Sequence, residues 1–169
     1  MLSYRKSDAH KIVGYSDADW AGFKDTRRSM SGYIFTLAGG AISWRSLKQT
    51  IVASSTMYAE FIACYEATGQ GIWLMKFVPG LRVVNSIERP LKIYCDNTSA
   101  VDYCHNNWSS GATKHIDIKF YVVKERIQDH TIDVEQLGTD QMLTDPLTKG
   151  LPPSMFSKHV AGMGLREGL

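Results

Sequence analysis

Two aspartates occupy positions from which chemistry is done. Asp17 follows the apolar run 12–16, and Asp96 follows 91–95, where Leu91, Ile93 and Cys95 alternate with Lys92 and Tyr94; each therefore reads as the carboxyl end of a strand. In an open α/β sheet, two such strands running parallel as neighbours open a ligand crevice at that edge, and the two carboxylates meet there. Clustered carboxylates suit hard divalent cations such as Mg²⁺, and two ions about 4 Å apart can neutralise a phosphodiester and activate water to cleave it. Glu60 and Asp145 could join the pair if the long helix and a late helix face the same crevice. Spacing alone does not select these four from 17 acidic residues. A single Asp at a strand end is ordinarily a turn former or N-cap, Glu60 reads equally as a solvated first-turn acid, and Asp145 before Pro146 as a helix start.

The elements that must position these side chains follow from periodicity. The first strand ends at Asp17 and gives way to a polar loop with Lys24, Asp25, Arg27 and Arg28. Residues 32–38 and 41–45 form two short β-rich runs, with Gly39-Gly40 between them to take the positive φ of a tight hairpin. Ser54-Ser55-Thr56 supplies N-cap candidates for the longest helix, in which Phe61, Ile62, Tyr65, Ile72, Trp73 and Phe77 recur at roughly helical spacing until Pro79-Gly80. A fourth strand, 91–95, ends at Asp96-Asn97, a start for a short helix. Ile116, Phe120, Val123 and Ile127 fall at steps of four, three and four and give an amphipathic helix whose other faces are basic. Ile132 and Val134 mark a fifth strand, 141–149 a helical turn or two, and Pro152-Pro153-Ser154 a last helix through Met163. The order implies an α/β fold, a mixed sheet covered by helices.

A chain of 169 residues, 44% hydrophobic and 21% charged, suits one well-buried core. No window approaches the roughly 20 apolar residues of a membrane span, and the first residues lack a secretory apolar run, so a cytoplasmic location is expected. Cys64, Cys95 and Cys104 have neither CxxC spacing nor a His pair arranged for zinc and read as free, packed thiols. A net charge of +2 falls short of the basic excess that announces a nucleic-acid binder. Trp20, Trp44 and Trp73 read as core; Trp108, in the loop 106–110, reads as exposed.

The stretch Gly14-Tyr15-Ser16-Asp17-Ala18-Asp19-Trp20-Ala21-Gly22 resembles the opening motif of the ribonuclease H domain of copia-type LTR retrotransposon Pol polyproteins. In the same order, Arg28-Ser29-Met30-Ser31-Gly32-Tyr33, Gly39-Gly40-Ala41-Ile42-Ser43-Trp44, Ala53-Ser54-Ser55-Thr56, Ala59-Glu60-Phe61, Tyr94-Cys95-Asp96-Asn97, Thr113-Lys114-His115-Ile116-Asp117 and Asp145-Pro146-Leu147-Thr148-Lys149 resemble that family too. The resemblance implies a ribonuclease H-like fold with a five-stranded mixed sheet flanked by helices. It also implies two Mg²⁺ or Mn²⁺ ions held by Asp17, Glu60, Asp96 and Asp145, with Asp17 bridging both, Asp145 on the ion that activates water, and Glu60 and Asp96 on the other. Many relatives place a mobile His before the last acid. Residues 136–141 contain none, so no His-assisted product release is expected, and His130 reads as a surface residue.

The implied function is hydrolysis of the RNA strand of RNA–DNA hybrids during reverse transcription, beside the reverse transcriptase domain of the same polyprotein and within a virus-like particle. The implied division is a remnant of upstream polyprotein over 1–11, the ribonuclease H domain over 12–150 and a helical tail over 151–169. Arg27, Arg28, Arg45, Lys48, Lys114, Lys119, Lys124 and His115 are candidates for phosphate contacts, against the alternative of scattered solubilising charge or, for His115, a structural hydrogen bond. Asp19 could assist the metal site if its strand continued. Two other functions remain open from sequence: a decayed or repurposed domain that binds hybrid or protein without cutting, and a related integrase-type or transposase-type nuclease.

Overall fold

The computed structural model describes residues 1–4, 11–23, 25–82, 86–106 and 114–166. Trp108 and its loop, and the side chain of Lys114, lie outside the described residues. Five strands, β1 (Ile12–Phe23), β2 (Arg28–Leu37), β3 (Gly40–Lys48), β4 (Leu91–Cys95) and β5 (Ile132–Gln136), form one sheet in the order β3-β2-β1-β4-β5. β1, β2 and β3 are antiparallel neighbours, whereas β1–β4 and β4–β5 pair in parallel. The helices are α1 (Thr56–Gly80), α2 (Thr98–His105), α3 (Lys114–Gln128), α4 (Asp145–Thr148) and α5 (Pro153–Gly162), with a 3₁₀ turn at Thr139–Gln141.

Alternation along the strands divides the core between two faces. Ile12, Tyr33, Phe35, Leu91 and Ile93 pack with Phe61 and Leu74 of α1, Tyr103 of α2, and Phe120 and Val123 of α3. Ile34 and Ala41 turn to the opposite face, against Met163, Leu143 and Leu147. Cys64, Cys95 and Cys104 are free and buried within the first layer, as their spacing led us to expect.

Three expectations need correction. β1 does not end at Asp17 but runs to Phe23, because its antiparallel pairing with β2 continues past the point where its pairing with β4 stops, at Tyr15 opposite Tyr94. β2 and β3 are correspondingly longer than 32–38 and 41–45. The hairpin residues with positive φ are Ala38 at 52° and Gly39 at 75°, while Gly40 already pairs with Leu37. Gly40 is needed for a different reason: a Cβ there would lie 2.6 Å from the Tyr4 ring. Trp20, Trp44 and Trp73 are not core residues; they are 46%, 59% and 50% exposed, on outward positions where a large ring is half covered by its neighbours. The Trp20 indole donates to the Ala53 carbonyl, and Trp73 stacks on Phe77.

Candidate active site

Asp17 lies just beyond the last β1–β4 residue pair and Asp96 directly follows β4, so the parallel strands bring the two acids to one edge. This is the crevice position expected of neighbouring parallel strands. Asp17 projects from the sheet face opposite α1. Its odd-numbered neighbour Tyr15 packs with Met163 and Leu147, whereas Ala18 packs on Ala59 and Ile62 of α1.

Glu60 reaches the same edge from α1. The helix starts at Ser55, whose hydroxyl accepts from the Tyr58 amide at 3.3 Å, capping an otherwise unpaired donor. Gln49, fully buried at the end of β3, donates to the Ala59 carbonyl at 2.9 Å and to Ser31 at 2.8 Å, fixing the first turns of α1 against the sheet. Asp96 is followed by Asn97, whose side chain accepts from the Ala100 amide at 3.0 Å and caps α2. Thr139 donates to Asp96 Oδ2 at 3.1 Å.

The fourth acid arrives on α4, and a missing side chain makes room for it. Gly32 faces Asp17 in the β1–β2 register, and a Cβ on it would lie 2.7 Å from Thr148 Cγ2 and 3.1 Å from Leu147 Cβ. The short helix therefore lies directly on β2, held also by a 2.6 Å hydrogen bond from the Ser46 hydroxyl to the Leu147 carbonyl. The Thr148 hydroxyl donates to Asp17 Oδ2, and Lys149 Nζ donates to Asp17 Oδ1 at 2.9 Å and to Asp145 Oδ1 at 3.3 Å.

Oxygens of Asp17, Asp96 and Asp145 lie within 4.8 Å of one another, as do ligand atoms of Glu60, Cys95 and Asp96. The four proposed acids thus form one continuous cluster, with Asp96 common to both groups. Asp17 is fully buried, Glu60 and Asp145 nearly so. Burial pushes the Glu60 carboxyl from 4.5 up to about 10, aided by Cys95, Asp17 and Asp96 and opposed by a hydrogen bond from the backbone of Ala18. Burial also raises Asp145, against the pull of Lys149. The cluster holds more negative charge than Lys149 can balance, and such a site favours an added cation. The donors are hard oxygens that fit Mg²⁺ or Mn²⁺; the Cys95 thiol is held protonated by its hydrogen bond with Cys64 and by burial, which leaves it a poor ligand.

Other candidates fall outside the cluster. Asp19 does lie on the continued strand, but its carboxylate rests over Gly22 and belongs to neither acid group. Arg27 and Arg28 are exposed at the β1–β2 turn, Arg45 is exposed on β3, and Lys48 lies over the Phe23 ring at 4.0 Å. His115 is exposed on the first turn of α3 and lines a groove of about 600 Å³ with Thr50, Ile51, Tyr65, Ile118 and Lys119. His130 is exposed, at the turn before β5. Sequence reading missed Gln49, Thr148 and Lys149. Lys149 is four residues after Asp145, a spacing that places two side chains on one side of a helical turn, and that signal was available.

The fold defines the class: a mixed sheet in this order, with α1, α2 and α3 on one face, is ribonuclease H-like. LC11-RNase H1, solved in complex with an RNA/DNA hybrid, has this fold, with a TM-score of 0.55 at 14% identity, covering 82% of this chain and 94% of that one. By sequence, the chain is similar over most of its length to Pol polyproteins of copia-type plant retrotransposons. It is 40% identical over 154 residues to the retrovirus-related Pol polyprotein from transposon TNT 1-94 of Nicotiana tabacum, covering 90% of this chain. It is 33% identical over 161 residues to that from transposon RE1 of Arabidopsis thaliana, covering 95%. The chain spans 11% of the length of each polyprotein. No protein-family model matches it.

Proposed function

We propose that the chain is a divalent-metal-dependent ribonuclease H that hydrolyses the RNA strand of RNA–DNA hybrids. The observation that carries this reading is the convergence of Asp17, Glu60, Asp96 and Asp145, from four separate segments, at the edge of a ribonuclease H-like sheet. These residues would hold two Mg²⁺ or Mn²⁺ ions, which when bound neutralise the scissile phosphate and make water a nucleophile at neutral pH. The protein's own contribution is placement. Gln49 and Ser55 fix Glu60, Asn97 and Thr139 fix Asp96, and Gly32 lets α4 carry Asp145 onto Asp17.

Arg27, Arg28 and Lys48 stand at the end of the β1–β2–β3 sheet beyond Asp17, where they would meet substrate phosphates without reading sequence. Arg45, Lys114 and His115 are assigned the same role from outlying positions on β3 and α3. On the same reading the domain works beside the reverse transcriptase of its polyprotein in a cytoplasmic virus-like particle, a proposal supported by its similarity to transposon Pol polyproteins. Among the described residues, no helix is long and apolar enough to cross a membrane. The test is cleavage of a labelled RNA–DNA hybrid beside duplex RNA and duplex DNA. Mg²⁺-dependent cutting confined to the RNA of the hybrid is expected, and strand transfer or cutting of duplex DNA would reject it.

A further inference from the structure

We propose that Lys149 is a tethered cation that occupies the Asp17–Asp145 side of the site until a divalent ion displaces it, and so sets how tightly that side binds metal. The inference rests on the metal-site reading above. Its basis is the geometry at the end of α4. The Lys149 amide donates to the Asp145 carbonyl at 2.9 Å, so its backbone is fixed as the cap of the helix. From there the side chain turns back to place Nζ at 2.9 Å from Asp17 Oδ1 and 3.3 Å from Asp145 Oδ1.

Those oxygens belong to the same group that would ligate a cation. A magnesium ion takes its oxygens at about 2.0–2.1 Å. An ammonium held at hydrogen-bonding distance from the same atoms would then sit roughly 3–4 Å from a doubly charged ion, in a site that water screens poorly. The two cations exclude each other. Lys149 is 34% exposed and the Asp17 side chain 0%, so the lysine has a path to solvent and the acid has none. Burial alone would lower the Lys149 pKa, but Asp17, Asp145 and Asp96 hold it well above the ordinary lysine value, and it stays charged at neutral pH.

Thr148 completes the arrangement by donating to the other oxygen of Asp17. In the absence of metal, the last residue of α4 and its cap therefore satisfy both oxygens of a fully buried carboxylate that would otherwise be costly to keep charged. When an ion binds, Thr148 can keep its hydrogen bond while Lys149 leaves. The residue acts as a regulator of occupancy and is not assigned contact with substrate.

The test is calorimetric titration of MnCl₂ into the wild-type chain, Lys149→Met and Lys149→Gln without nucleic acid, paired with thermal melts in EDTA and in Mn²⁺. Both variants are expected to bind Mn²⁺ about tenfold more tightly than wild type, to melt lower in EDTA, and to gain more from the metal. The glutamine variant keeps a polar side chain of similar reach in case methionine disturbs folding. A lysine that merely fastens α4 to β1 would lower the melting temperature in both conditions and leave metal affinity unchanged or weaker, which would overturn the inference alone. If neither wild type nor variants bind Mn²⁺, the metal-site reading itself falls, and the inference with it.

Discussion

Gly32→Ala is expected to damage the site from the far side of a helix, without touching a carboxylate. The added methyl would lie 2.7 Å from Thr148 Cγ2, about 0.7 Å inside the 3.4 Å at which ordinary contact begins, and 3.1 Å from Leu147 Cβ. Because the contact falls on side chains rooted in a short helix packed on β2, relief requires α4 to move outward, taking Asp145, Thr148 and Lys149 with it. Overpacking of this kind costs about 1–3 kcal/mol, and the alanine returns about 0.4–1 kcal/mol by restricting the unfolded chain, leaving a net loss of roughly 1–2 kcal/mol. A displacement approaching 1 Å at a catalytic group costs on the order of a hundredfold in rate, so activity should fall far more than stability. Urea denaturation and single-turnover cleavage of an RNA–DNA hybrid read the two quantities. Thr148→Ser in the same chain removes Cγ2, keeps the hydroxyl on Asp17, and should recover most of both losses. A Gly32→Ala variant as active as wild type, or a double variant no better than the single one, would refute the proposed docking of α4.

Glu60 gives a pH prediction whose sign is fixed by burial. Its folded pKa of about 10 lies above the ordinary 4.5, so the folded state holds a proton that the unfolded state releases. Stability of the metal-free chain should therefore fall as pH rises between those values, with a slope of at most about 1.4 kcal/mol per pH unit from this group. Glu60→Gln should flatten the dependence, read by urea melts in EDTA at several pH values; an unchanged slope would remove Glu60 as its source. Asn97→Ala removes the cap of α2 beside Asp96 and should cost about 1 kcal/mol in urea denaturation.

The parallel pairing behind the site was legible in the sequence because β4 is short and bounded: alternation stops at Cys95, and Asp96-Asn97 is a recognisable helix start. β1 was harder to read. Beyond Asp17 the apolar alternation lasts only through Ala18-Asp19-Trp20 and breaks at Ala21-Gly22, where this part of the strand has left β4 behind and pairs with β2 at the rim. The same cause misled the reading of Trp20, whose ring lies at that rim with its indole on Ala53. Glu60 and Asp145 came from resemblance, since no local signal distinguishes a solvated helix acid from one that a fully buried Gln49 and an unsubstituted Gly32 hold in a common crevice. Lys149 illustrates the converse, a local spacing that carried information only once Asp145 was known to face inward.

The central claim is tested most directly by incubating a hybrid labelled on its RNA strand with the wild-type chain and with Asp17→Asn, each with Mg²⁺ and with EDTA. Asp17 is fully buried and shared between β1 and the α4 contacts, and removal of its charge should abolish turnover while circular dichroism shows the fold retained. The expected result is RNA cleavage by wild type in Mg²⁺ alone, leaving the DNA strand intact. Equal cleavage by folded Asp17→Asn, or cleavage by wild type in EDTA, would contradict it.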